Sequence, residues 1–166
     1  RKYVILALEY YLDLCDDDDL KEDIIAFISR AADHILMNIG PDKKDITRAS
    51  RSWFGLNSSS ILEPMARLYR LTKEKRYFDF CTYIVERGGT KNINVFELAY
   101  ENKIYPYQYG VSKAYEMTSC FEGLLEYYEL TGIEKYKTAV LNYARAVIDS
   151  EISIIGCSGM AHELFD

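Results

Sequence analysis

The chain has 166 residues, 49% apolar and 28% charged, with a net charge of −6 at neutral pH. That is enough for one globular domain with a real core, or for a large piece of one. The acidic balance excludes the basic face that a nucleic-acid partner requires, and no run approaches the ~18 apolar residues of a membrane span, so neither is expected as a partner.

In chain order, apolar residues recur at helical spacing from Val4 to Leu14 and from Leu20 to Met37. Asp18 or Asp19 is a suitable cap for the second of these helices. The run "CDDDDL" is not an EF-hand loop. Counted from Asp16, the sixth and twelfth positions are Lys21 and Phe27 where glycine and glutamate are required. It reads as a solvated turn. His34 lies within the second helix as a structural residue, and its distance from His162, the other histidine, suggests no metal site.

A long connection from Gly40 to Ser58 carries Arg51 and the sole tryptophan, Trp53. Ser60-Ile61-Leu62-Glu63 then fits a capping box, with Pro64 allowed in the first helical turn. The segment "EPMARLYRLTKEKRY" from Glu63 returns as "EGLLEYYELTGIEKY" from Glu122, an offset of 59 residues. Leu12, Leu14 and Leu20 keep a fainter copy of the same spacing. Each copy joins two helical patterns, the first ending at the Leu-Thr; Gly132 suits the left-handed residue that closes a helix. Between the copies, Gly88 to Val111 holds "KIYPYQYG" with Tyr105, Tyr107 and Tyr109, and Ser112 is placed to cap the next helix. Beyond it, "EISII" from Glu151 is the one fair strand candidate.

These elements make an all-α chain of three αα-hairpins, at about residues 1–40, 57–88 and 112–150, with a terminal loop at 151–166. The period is too long for a ~34-residue tetratricopeptide repeat. The chain begins inside a helical pattern and stops in a loop. The expectation is therefore about half of an (α/α)6 toroid, the rest of the same barrel being its partner. The alternative is a self-contained three-hairpin domain. In either case all inter-hairpin loops share one edge, where long loops carry function.

The chemistry-bearing residues gather in those loops. Fifteen tyrosines suit layered helices or an aromatic-lined pocket of the kind that holds sugars. Trp53 and Tyr109 are candidates for stacking on a sugar. The last eleven residues, "GCSGMAHELFD", bring Cys157, His162 and Glu163 together. A Cys-x4-His-Glu run is no recognised zinc spacing, and Cys157 reads as a structural or pocket-wall cysteine. Cys81 and Cys120 read as small buried hydrophobes. No CxxC pair is present, and nothing demands disulfides.

Three stretches, "ILEPMARLYRLTKEKRYFDF", "KAYEMTSCFEGLLEYYELTG" and "EISIIGCSGMAHELFD", together resemble the β-L-arabinofuranosidase-like glycoside hydrolases of family 127. Family members carry Ile-Thr-Gly-Gly-x-Gly and then Gly-Glu-x-Phe. Here Ile154 to Gly159 is followed, at a shorter spacing, by His162-Glu163-Leu164-Phe165. The resemblance implies an (α/α)6 barrel and a retaining hydrolase of plant-type glycans, with Glu163 as general acid/base and His162, Tyr109 and Trp53 at the sugar. It also implies a zinc-held thiolate nucleophile, whose ligands lie downstream of the acid/base loop and outside this chain. The chain alone is then expected to be inactive. A secreted or periplasmic location follows from the resemblance only. Two family histidines that contact sugar align near Ser58 and Lys113, so those contacts differ here. Two other readings remain open: a different α/α-toroid sugar enzyme, epimerase or lyase, and a non-catalytic helical-repeat binding module.

Overall fold

The computed structural model describes residues 1–50 and 52–166. It is built from helices α1 (Lys2–Leu12), α2 (Asp18–Asn38), α3 (Leu56–Ser59), α4 (Leu62–Thr72), α5 (Lys75–Glu86), α6 (Val95–Glu101), α7 (Ala114–Thr131) and α8 (Glu134–Ser150). No β-strand forms among the described residues. The stretch expected as a strand contributes only an isolated bridge between Ile152 and Ser158. None of the described helices is long and apolar enough to cross a membrane.

Short turns fold α1 back on α2, α4 on α5, and α7 on α8. The first helices of the pairs lie side by side in the order α1, α4, α7, while α2 covers α1 and α4, α5 covers α4, and α8 covers α7. Two layers therefore enclose a core in which Ile5, Ile28, Leu62, Met65, Leu68, Tyr77, Ile84, Met117 and Leu124 are fully buried. Each large apolar side chain removed from water there stabilises the fold by about 1.5–3 kcal/mol. Antiparallel pairing sends the short turns to one end and every long connection to the other.

The helix ends follow local chemistry, with some differences from the sequence pattern. Helices α4 and α7 close after their Leu-Thr steps, on left-handed Lys73 (φ 59°) and Gly132 (φ 68°). Asp17, not Asp18 or Asp19, caps α2, its carboxylate accepting from the Leu20 amide at 3.0 Å. No capping box forms at Ser60, because that residue already ends α3 and its hydroxyl donates back to the Asn57 carbonyl. Ser112 does not cap α7; the cap position is Lys113. The second long connection contains α6, capped by Asn94, which packs on α8.

Helices α7 and α4 approach closely at Gly123 in the middle of α7. A Cβ there would stand 2.7 Å from both the Glu63 amide nitrogen and the Leu62 Cβ. Three side-chain hydrogen bonds run alongside this seam: Asn57 to Glu116 at 3.0 Å, Arg67 to Glu126 at 3.2 Å and Arg70 to Glu129 at 3.0 Å. Each joins residues 59 apart. Glu63 and Glu122 share that offset as like charges, and burial together with Glu122 pushes the Glu63 carboxyl above its usual range.

Two predictions test this packing. In an open helix Gly→Ala would stabilise by about 1 kcal/mol. At Gly123 the added methyl meets backbone, so Gly123→Ala should instead cost about 1–3 kcal/mol, read as a lowered Tm; a raised Tm would contradict the seam. The second concerns Glu9 on α1, which is 3% exposed and has no hydrogen-bond partner for either carboxylate oxygen among the described residues. Burial pushes its carboxyl up to about 9, against the opposing pull of Arg67. The fold therefore holds a proton that the unfolded chain releases near the ordinary carboxylate pKa. That contribution is complete below the ordinary value and is lost as pH rises through the folded one. Glu9→Gln should be more stable than wild type at pH 8.5 by about 1–3 kcal/mol. In paired melts the advantage should shrink toward pH 4; an advantage independent of pH would exclude Glu9 as its source.

Candidate active site at the loop-bearing edge

The terminal loop is clipped onto the start of α7. Leu164 bridges Lys113, the Phe165 amide donates to the Ser112 carbonyl at 2.8 Å, and the Met160 amide donates to the Leu164 carbonyl at 2.7 Å. Phe165, 2% exposed, sets its ring edge against Tyr143 of α8, with centroids 6.3 Å apart. An apolar anchor and a backbone clip thus fix the residues just before them, which form a 3-10 turn at Ala161–Glu163.

Lys113 organises what these loops bring together. Its ammonium donates to the Glu163 carboxylate at 2.5 Å and to the His162 carbonyl at 3.0 Å. It also stands 5.0 Å from the centre of the Trp53 ring, within cation–π range. Lys113 is nearly buried, whereas the Glu163 side chain remains 69% exposed. The charged neighbour of Glu163 is thus a cation. Trp53 is half-buried and reaches the cluster from the connection between α2 and α4. One turn into α7, Glu116 accepts from Asn57 through one carboxylate oxygen, while the other is buried without a partner among the described residues.

The backbone is strained on both sides of Lys113. Trp53 and Phe54 each have φ 52°, and His162 and Glu163 each have φ 61°. Bulky residues in this left-handed region cost of order 1–3 kcal/mol apiece, and such strain concentrates at functional sites. The Phe54 carbonyl accepts from the Lys91 amide at 2.8 Å, which ties the Trp53 turn to the next connection.

Of the residues expected at the site, Trp53, His162 and Glu163 meet around Lys113. Arg51, named with Trp53, lies outside the described residues. Tyr109 is not at the cluster: it is 3% exposed in the core, where burial pushes its hydroxyl up to about 12. Cys157 is exposed and lines none of the principal cavities, so it is not a pocket-wall residue. His34 is exposed on α2.

Lys113, Asn57 and Glu116 were not among the expected site residues. Asn57 and Glu116 stand one repeat apart, so the offset carried their signal; for Lys113 the signal was the alignment of its position with a family histidine, since a single lysine before a helix has no pattern of its own. A cavity of about 380 Å³ between the starts of α1 and α3 and the end of α2 reaches the cluster through Asn57. Among the described residues no three His, Cys, Asp or Glu side chains converge to hold a metal, so none of them is assigned to the zinc that the resemblance implies.

No curated protein and no solved structure matches the chain. The sequence profile of the family described as "Beta-L-arabinofuranosidase, GH127 catalytic domain" matches residues 7–166. A match over nearly the whole chain, on an all-α structure, is decisive: the chain belongs to the GH127 catalytic-domain family of β-L-arabinofuranosidase-like glycoside hydrolases.

Proposed function

We propose that this domain provides the acid/base side of a retaining glycoside hydrolase acting on β-L-arabinofuranoside-like linkages in plant-type glycans, with Glu163 as the acid/base. The observation that supports it best is the meeting of two strained loops around Lys113, with Glu163 held by the ammonium and left open to solvent. In the first step Glu163 gives a proton to the glycosidic oxygen as that oxygen leaves the anomeric carbon, and a nucleophile that is not among the described residues forms the new bond to that carbon. In the second, its carboxylate takes a proton from the water that attacks the glycosyl intermediate, and the configuration is retained.

The remaining groups position. Lys113 fixes Glu163 and the His162 backbone. The Trp53 ring offers a face to the sugar, and the His162 imidazole, exposed at the rim, is a donor or acceptor for a hydroxyl. Among the described residues none is assigned as the nucleophile. Burial pushes the thiol of Cys120 up to about 12 and raises that of Cys81 as well, the opposite of an activated thiolate. No step here runs through a metal.

Two substitutions in the intact enzyme test the reading. Glu163→Gln should lower turnover of an oligosaccharide substrate by about 10²–10⁴, with a smaller loss in the bond-breaking step for an aryl glycoside whose leaving group needs no proton. Unchanged turnover of the oligosaccharide would remove Glu163 from the mechanism. Lys113→Met, close in volume, should lower kcat by about 10²-fold through misplacement of Glu163, leave Tm nearly unchanged and alter the pH–rate profile. A fall in Tm with a normal profile would make Lys113 a packing residue only.

A further inference from the structure

A second polar groove lies on the outer face of α8, apart from the Lys113 cluster. It encloses about 340 Å³ and is lined by Asn102, Tyr105, Asn142, Arg145 and Asp149, among others. Helix α6 ends on left-handed Asn102 (φ 52°), and the chain then passes over α8. Asn142 forms the floor, its amide donating to the Ala99 and Tyr100 carbonyls at 3.0 and 3.3 Å, which leaves its own oxygen to accept. Arg145 and Asp149, one turn apart, are exposed and form no ion pair among the described residues.

Beside the groove stand Tyr105 and Tyr107. Their rings are parallel to within 6° at 5.9 Å and remain 47% and 41% exposed. Neither hydroxyl has a partner among the described residues, although the tyrosines that serve packing here, such as Tyr77 and Tyr143, are buried with theirs bonded. The platform is preset. Pro106 and Tyr109 are buried beneath it, and the Gln108 side chain accepts from the Tyr105 amide at 2.9 Å. Little order is lost when a ligand settles on such a surface.

We propose that this groove is a second carbohydrate-binding site, which holds a neutral oligosaccharide strand outside the catalytic cluster. Tyr105 and Tyr107 offer ring faces to the C–H faces of successive sugars, and Arg145, Asp149 and the free oxygen of Asn142 bond the hydroxyls. Lys103 also lines the groove, but its ammonium is paired with Glu101 at 3.3 Å. The charges left without a partner among the described residues are one cation, Arg145, and one anion, Asp149, on the same face of α8, and this balance favours a neutral polyol over a phosphate or a peptide carboxylate. The choice of sugar as ligand rests on the glycoside hydrolase reading; the groove itself does not involve Glu163.

The test is an amide-resolved NMR titration of the protein with arabino-, galacto- and xylo-tetraose, and with inorganic phosphate. At least one tetraose should shift the resonances of residues 102–107 and 142–149 saturably. Tyr105→Ala and Arg145→Ala, both surface changes that leave the remaining spectrum intact, should weaken that binding by tenfold or more without changing hydrolysis of an aryl glycoside. Shifts confined to the Trp53–Lys113–Glu163 region, wild-type affinity in both variants, or saturation by phosphate instead of sugar would each overturn the proposal. If the groove binds sugar while Glu163→Gln keeps full turnover, the catalytic reading fails and the groove stands. If Glu163 proves essential and no tetraose moves the groove resonances, the groove alone fails.

Discussion

The close approach of α7 to α4 at Gly123 is the constraint on which the rest of the molecule depends. Helix α4 touches α1, α2, α5 and α7, so its distance from α7 sets how the third pair joins the first two. Because Gly123 has no side chain, the Leu62–Glu63 backbone comes near enough for Leu62, Met65 and Leu124 to leave water completely. Close packing of this kind tolerates few alternatives. It also holds two parallel helices level, so both start at the same edge, and that edge receives the Trp53 turn and the terminal loop.

At that edge the structure combines a firm support with a strained surface. Phe165 and the bridge at Leu164 anchor the loop, and the residues immediately before them adopt backbone angles that bulky side chains avoid. The Trp53 turn repeats the pattern, with buried Gly55 behind it. Strain on both sides of one buried lysine has no packing benefit of its own. It accompanies a Glu163 carboxylate that stays exposed to solvent.

Much of this was legible in the residues. The 59-residue repeat located the paired helices and the Leu-Thr ends of α4 and α7, since apolar spacing and left-handed closure are local properties. The resemblance of the last stretch led to the right family. What stayed hidden was settled by neighbours distant in sequence. Ser60 could not cap α4 because α3, four residues long, had already taken it. Tyr109 reads like Tyr105 and Tyr107, but the 3-10 turn at Pro106–Gln108 sends it inward and leaves the other two outside. Helix α6 is only seven residues long, too short for a clear period. Lys113 gains its role from a loop that arrives some 50 residues later.

The hydrogen bonds between residues one repeat apart have a mechanical consequence. Asn57 to Glu116 lies near the loop-bearing edge, and Arg67 to Glu126 and Arg70 to Glu129 lie near the turns, so the two columns are joined like rails by rungs at matching heights. Ten residues of helix separate the first two rungs, about 15 Å. Deleting one residue from α7 between them would rotate one end of the rail by roughly 100° against the other. The cluster around Lys113 is therefore aligned partly by ion pairs at the far end of the molecule, and a change of length in α7 between them alters the loop-bearing edge without touching it.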